Sequence, residues 1–133
     1  MTRIPEKDRD MLDLAIYLPM VLTVLLKDRA IIESGPFKLK KPYINLIDET
    51  MLTIQKDLAA VKRYLKQNSL RVERLKRDEA FTMYLFLYRG YEERHNYFNP
   101  RLRNRTEELL ELYLRKKAHL FSRNEGPEYH AKG

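Results

Sequence analysis

Few residues in this chain of 133 amino acids have both the type and the spacing for chemistry, and the sharpest case is Glu92-x-x-His95. On a helix that spacing offers a carboxylate and an imidazole to one ion, but a di-metal bundle needs a second such pair and two further carboxylates. No second Glu-x-x-His occurs, so the fragment reads as helix surface and no metal ligand is assigned. The four glycines, at 35, 90, 126 and 133, are too far apart to build a phosphate-cradling loop or a dinucleotide fingerprint. There is no Gly-x-Ser-x-Gly elbow, and histidines stand only at 95, 119 and 130. The expectation is a protein that is not an enzyme, has no catalytic residue and carries no cofactor.

The basic residues make the stronger pattern. Arg94, Arg101 and Arg105 stand at i, i+7 and i+11, which is one face of a continuous helix, with Arg103, Tyr91 and Tyr97 close in sequence. Guanidinium and phenol groups so placed suit phosphate and base contacts, which makes the four arginines the candidate anion or nucleic-acid site. Against this, Glu92, Glu93, Glu107, Glu108 and Glu111 are interleaved on the same segment, the usual mark of a solvated, ion-paired face. Lys38, Lys40 and Lys41 form a second small patch. The aromatic set Phe81, Tyr84, Phe86, Tyr88, Tyr91, Tyr97 and Phe98 suits a partner surface, yet core packing is the commoner use of such residues.

These side chains must be positioned by a small set of elements. A first helix is expected from just after Pro5 to about Ser34, with Glu6, Asp8 and Asp10 at the positive end of its dipole and Pro19 as a kink. Gly35-Pro36 should end it, the glycine in a left-handed cap. From Leu14 to Leu26 nearly every residue is apolar, so this helix must be covered on more than one side, by the rest of the fold or by another subunit. A second helix from Pro42 carries the clearest signal: Ile44, Ile47, Met51, Ile54, Leu58, Val61 and Leu65 alternate in steps of three and four. That seam and the short loop predict an antiparallel helical hairpin, with Lys56, Lys62 and Lys66 toward water.

After Asn68-Ser69 the periodicity changes. Leu70–Lys76 and the run FTMYLFLY at Phe81–Tyr88 read as a β-hairpin; the rival is a helix from Asp78, giving an all-α four-helix bundle. From Tyr91 the pattern reads as helical to about residue 121, either kinked at Asn99-Pro100 or restarted there with Asn99 as N-cap, and Leu102, Leu109, Tyr113 and Leu120 give it a core face. The fold class is therefore α+β, mostly helical, as one domain over 1–121 with a polar tail over 122–133.

Composition fits that class. The hydrophobic share is 44% and the charged share 34%, as in ordinary globular chains. The net charge of +7 is spread over both halves, twelve basic against nine acidic residues in 1–68 and fourteen against ten in 69–133, so neither half is a basic arm. Without cysteine there is no disulfide or thiol chemistry, and a reducing, cytoplasmic setting is expected. The 13 apolar residues of Leu14–Leu26 fall short of the roughly 20 that cross a bilayer, so no membrane insertion is expected.

The opening MTRIPEKDR, the basic loop before Pro42-Tyr43-Ile44 and the hairpin-like stretch ending in Arg89-Gly90-Tyr91-Glu92 resemble the small uncharacterised bacterial proteins of the YhjD-like family, up to about residue 116. The resemblance implies a bacterial origin and a hairpin feeding a helix at Arg89-Gly90-Tyr91; it implies no activity. The expected function is that of a non-enzymatic interaction protein, a homodimer or the partner of another protein, self-associating through Leu18, Leu22 and Leu25 on helix one. The alternative is a nucleic-acid-binding accessory protein that uses Arg94, Arg101, Arg103 and Arg105.

Overall fold

The stripe from Ile44 to Leu65 organises the molecule. In a computed structural model, which describes residues 4–116, it lies on helix α2 (Lys41–Gln67), where Ile47, Ile54, Val61 and Leu65 are buried and Ile44, Met51 and Leu58 half-buried. It packs along α1 (Glu6–Ser34) to make the antiparallel hairpin. A three-stranded antiparallel sheet follows, β1 (Leu70–Arg77), β2 (Phe81–Tyr88) and β3 (Tyr91–Phe98), in the order β1-β2-β3. Helix α3 (Asn99–Leu114) returns against α1, α2 and β3. The fold is α+β and mostly helical, as expected.

Three local expectations are corrected. The segment from Tyr91 is a strand, not a helix: Tyr88 pairs with Tyr91 across a two-residue turn in which Arg89 (φ 49) and Gly90 (φ 91) both take positive φ. That is the tight hairpin turn whose twist matches the strands, and it needs a glycine at its second position. Gly35 is not a left-handed cap; its φ is −86, and its role is spatial, since an added Cβ would lie 2.7 Å from the Ile31 carbonyl oxygen. α3 ends at Leu114, short of the expected residue 121; Leu120 and the 122–133 tail lie outside the described residues.

One side of the apolar length of α1 is covered by the rest of the fold, while Leu26 stays 58% exposed. Ile16, Tyr17, Leu18, Val21 and Leu25 join Ile54, Val61, Phe86, Leu102 and Leu109 in one core. Three tyrosine hydroxyls then tie the elements together through aspartates. Tyr64 of α2 donates to Asp8 of α1 at 2.6 Å, Tyr97 of β3 donates to Asp13 of α1, and Tyr113 of α3 donates to Asp57 of α2 at 2.6 Å. Burial, with the neighbouring carboxylate adding to it, pushes the Tyr64 phenol up to about 12 and raises Tyr97 as well.

Candidate functional site

In a strand successive side chains point to opposite faces, so the pairing register divides the sheet into two surfaces. Toward the helices lie Val72, Phe86 and Glu93 in one row, Arg74, Tyr84 and His95 in the next, and Arg77, Thr82 and Tyr97 in a third. The opposite face carries Arg71, Leu87 and Glu92 in one row and Glu73, Leu85 and Arg94 in the next, followed by Met83 beside Lys76 and Asn96, and then Phe81 beside Phe98. Phe81 and Phe98 are 39% and 48% exposed with ring centroids 5.4 Å apart, while Met83 and Leu87 are half-buried and Leu85, at 8%, is buried between its neighbours.

The outer face is thus an apolar line, Phe81-Met83-Leu85-Leu87, bordered by charges of both signs. No helix of the described residues is packed over it: the helices meet the sheet on the side of Val72, Tyr84 and Phe86. A strand apolar on both sides is normally covered on both sides, and here no helix or strand of the described residues supplies the second cover. The reading of FTMYLFLY as a strand identified β2, but the significance of its odd-numbered residues was missed. The signal was present, because alternation between apolar and polar residues, the mark of a strand wet on one face, is absent.

The four arginines of the candidate nucleic-acid face are not brought together. Arg94 lies on the outer face of β3, so the i, i+7, i+11 relation with Arg101 and Arg105 has no helix to carry it. Arg101 and Arg105 remain one turn apart on α3, both toward Tyr17, where they oppose the upward push that burial and Asp13 exert on its phenol. Arg105 is also paired with Glu108 at 2.9 Å. Arg103 points elsewhere, into a groove between α1, β1 and α3. Of the lysine patch, Lys40 donates to the Glu33 carbonyl at 2.7 Å and closes the end of α1.

The expected self-association surface is corrected for the same kind of reason. Leu18 is 0% exposed and Leu25 is 2% exposed, both inside the core of their own chain, and Leu22 is half-buried against it. The Glu92/His95 pair is separated by the strand, which turns residues three apart to opposite faces. His95 instead stacks on Phe86 with centroids 4.3 Å apart, and its Nε2 lies 3.0 Å from a Glu93 carboxylate oxygen. Asn99 is not the expected N-cap of α3, a place taken by Phe98 with no side-chain cap; its side-chain amide instead donates to the Asp78 and Glu79 carbonyls, at 3.0 and 3.1 Å, and accepts from the Thr82 hydroxyl at 2.7 Å.

No helix among the described residues is long and apolar enough to cross a membrane. No solved structure matches the chain. The chain is 44% identical over 114 residues to the uncharacterised protein YhjD of Bacillus subtilis (strain 168), an alignment covering 86% of this chain and 95% of that relative. The model of the family described as YhjD protein matches residues 3–118. With that extent of match, this chain belongs to the YhjD family of uncharacterised bacterial proteins.

Proposed function

We propose that this protein is a non-enzymatic interaction protein of the bacterial cytoplasm, and that its partner is a second copy of itself, engaged through the outer face of the sheet. The observation that carries the reading is the arrangement of charge around the apolar line. The rows Arg71-Leu87-Glu92 and Glu73-Leu85-Arg94 place opposite charges at the two ends of each row and along each edge strand. A two-fold axis along the strands sets Arg71 against Glu92 of the second copy and Glu73 against its Arg94. A two-fold across the strands sets Arg71 against Glu73 and Glu92 against Arg94. Either closed symmetry therefore gives complementary pairs around a shared apolar centre, as an isologous contact requires.

The face is small. Three strands of eight residues at about 3.3 Å each, spaced about 4.8 Å apart, give roughly 380 Å² per copy. That is about half of the roughly 800 Å² per partner in a standard interface, which implies a weak, concentration-dependent dimer. The nucleic-acid alternative depends on a single basic face, and Arg101 with Arg105 is the part of it that still shares one.

Sedimentation equilibrium across a wide concentration range tests the reading. The wild type should pass from monomer to dimer, and Met83→Asp, at a half-buried position outside the core, should abolish the dimer while leaving the circular-dichroism melt intact. Arg94→Glu should weaken the dimer, with recovery on adding Glu73→Arg for the axis along the strands or Glu92→Arg for the axis across them. A wild type that stays monomeric at the highest concentration, or a Met83→Asp variant that still dimerises, refutes the assignment.

A further inference from the structure

On the other side of β1, a groove of about 860 Å³ opens between α1, the sheet and α3. This lies within the roughly 300–1,000 Å³ typical of small-molecule sites. Its walls are aliphatic, with Ile16, Met20 and Val24 from α1, Val72 from β1, and Leu102 and Leu110 from α3. Among the described residues Tyr84 contributes the sole aromatic ring of the lining, so they offer no flat ring pair to hold a base or another aromatic ligand.

Among the described residues three arginines reach this groove, Arg74, Arg77 and Arg103, against one carboxylate, Glu107. The first two owe their shared direction to an irregularity. Residues three apart on a regular strand point to opposite faces. The register of β1 slips between Arg74 and Lys76, however, so that Arg74 pairs with Tyr84 and Arg77 with Thr82, two neighbouring residues of the inner face of β2. A bulge of this kind re-aims a side chain, and such bulges are common beside functional sites. Here it converts a β1 that would show one arginine to the groove into one that shows two.

Between them stands a second anomaly. Tyr84 is 6% exposed and lines the groove, yet its hydroxyl makes no hydrogen bond to any described residue, whereas the hydroxyls of Tyr64, Tyr97 and Tyr113 each donate to an aspartate. Buried hydroxyls are normally satisfied. Burial raises the Tyr84 phenol while Arg74 and Arg77 pull it back, so both guanidinium groups act on the hydroxyl. Two guanidiniums and one unsatisfied hydroxyl form a donor set suited to a carboxylate, which arginine binds in a two-pronged manner.

We propose that the groove binds a long-chain fatty acid, with its carboxylate held by Arg74, Arg77 and the Tyr84 hydroxyl and its chain laid along the aliphatic walls of α1 and α3. The aliphatic lining selects a flexible alkyl chain over a planar ligand, and the concave shape selects a single chain over a bilayer surface. This site is separate from the outer face of the sheet, so its test does not depend on dimerisation.

The experiment is displacement of cis-parinarate, a fluorescent polyene fatty acid, from the full chain by palmitate, with hexadecanol and phosphatidylglycerol vesicles run in parallel. Palmitate should displace the probe at one equivalent per chain, and hexadecanol should bind at least tenfold more weakly. The double variant Arg74→Gln/Arg77→Gln should lose at least tenfold in palmitate affinity. Tyr84→Phe, which keeps the ring against Tyr97, should lose several-fold with an unchanged melting curve. Absence of palmitate binding, equal affinity for the alcohol, undiminished affinity in the folded arginine double variant, or binding to vesicles alone would each overturn the proposal.

Discussion

The bond between Tyr113 and Asp57 is a sensitive probe of how the helical layer is held. Asp57 is 1% exposed on α2, and the Tyr113 hydroxyl of α3 donates to its Oδ2 at 2.6 Å. Tyr113→Phe removes the donor and leaves the ring in place, so little packing is lost. The carboxylate then loses a donor it cannot replace with water, which costs about 1.5–3 kcal/mol for a hydrogen bond to a charged group. At roughly 4 °C per kcal/mol for a domain of this size, the melting temperature should fall by about 6–12 °C. Asp57→Leu in the Tyr113→Phe background removes the buried polar group as well. The double variant should therefore be more stable than Tyr113→Phe plus Asp57→Leu would predict additively, with a coupling of about 1 kcal/mol or more. Urea unfolding followed by circular dichroism measures all four corners of the cycle. A Tyr113→Phe variant within about 0.5 kcal/mol of wild type, or an additive double variant, would refute the reasoning.

Other perturbations read other parts of the structure. Asn99→Ala should cost about 2–3 kcal/mol in the same urea assay, because it frees the buried Thr82 hydroxyl and releases the Asp78–Glu79 turn together. Gly35→Ala should destabilise by about 1–2 kcal/mol, since the new Cβ meets the Ile31 carbonyl at 2.7 Å and that contact outweighs the gain from a stiffer unfolded chain. For Tyr64, the folded value of about 12 lies above the ordinary value of 10, so its contribution to stability is complete below pH 10 and is lost as pH rises from 10 to 12. Ultraviolet titration of phenolate should show Tyr64 ionising near 12 and Tyr97 also well above the ordinary value, and all nine tyrosines titrating near 10 in a folded protein would contradict this. Duplex DNA binding, measured by fluorescence anisotropy, should be gone by physiological salt, because Arg101 and Arg105 alone share a face; tight binding that persists there would restore the nucleic-acid reading.

Much of the architecture was legible along the chain because it depends on local periodicity. The alternation of three and four from Ile44 to Leu65 specifies a helix with one buried stripe, whatever packs against it, and the aromatic-rich run of Phe81–Tyr88 favours a strand. Gly35-Pro36 marks the end of α1 for any backbone geometry, even though the glycine acts by leaving room and not by taking a positive φ. The error over Tyr91–Phe98 also has a physical source. YEERHNYF carries charge at positions that a helix would expose, and the strand is formed because Arg89-Gly90 folds the segment back onto an apolar β2. Pairing with a neighbour overrides a weak local preference.

The sites belong to tertiary structure for the same reason. Asp8 and Asp13 have the sequence appearance of residues near a helix start, and their roles become visible only when Tyr64 and Tyr97 arrive from segments 56 and 84 residues away. By spacing Arg94 joins Arg101 and Arg105, but the register turns it onto the outer sheet face. By spacing Arg74 and Arg77 diverge, but the bulge aligns them. The hairpin of helices, the β2 strand and the spread of charge follow from residues close together in the chain, and could be read there. Which apolar surface the described residues bury and which charges share a face depend on strand register and on contacts between residues far apart in sequence, and so appear only in the folded chain.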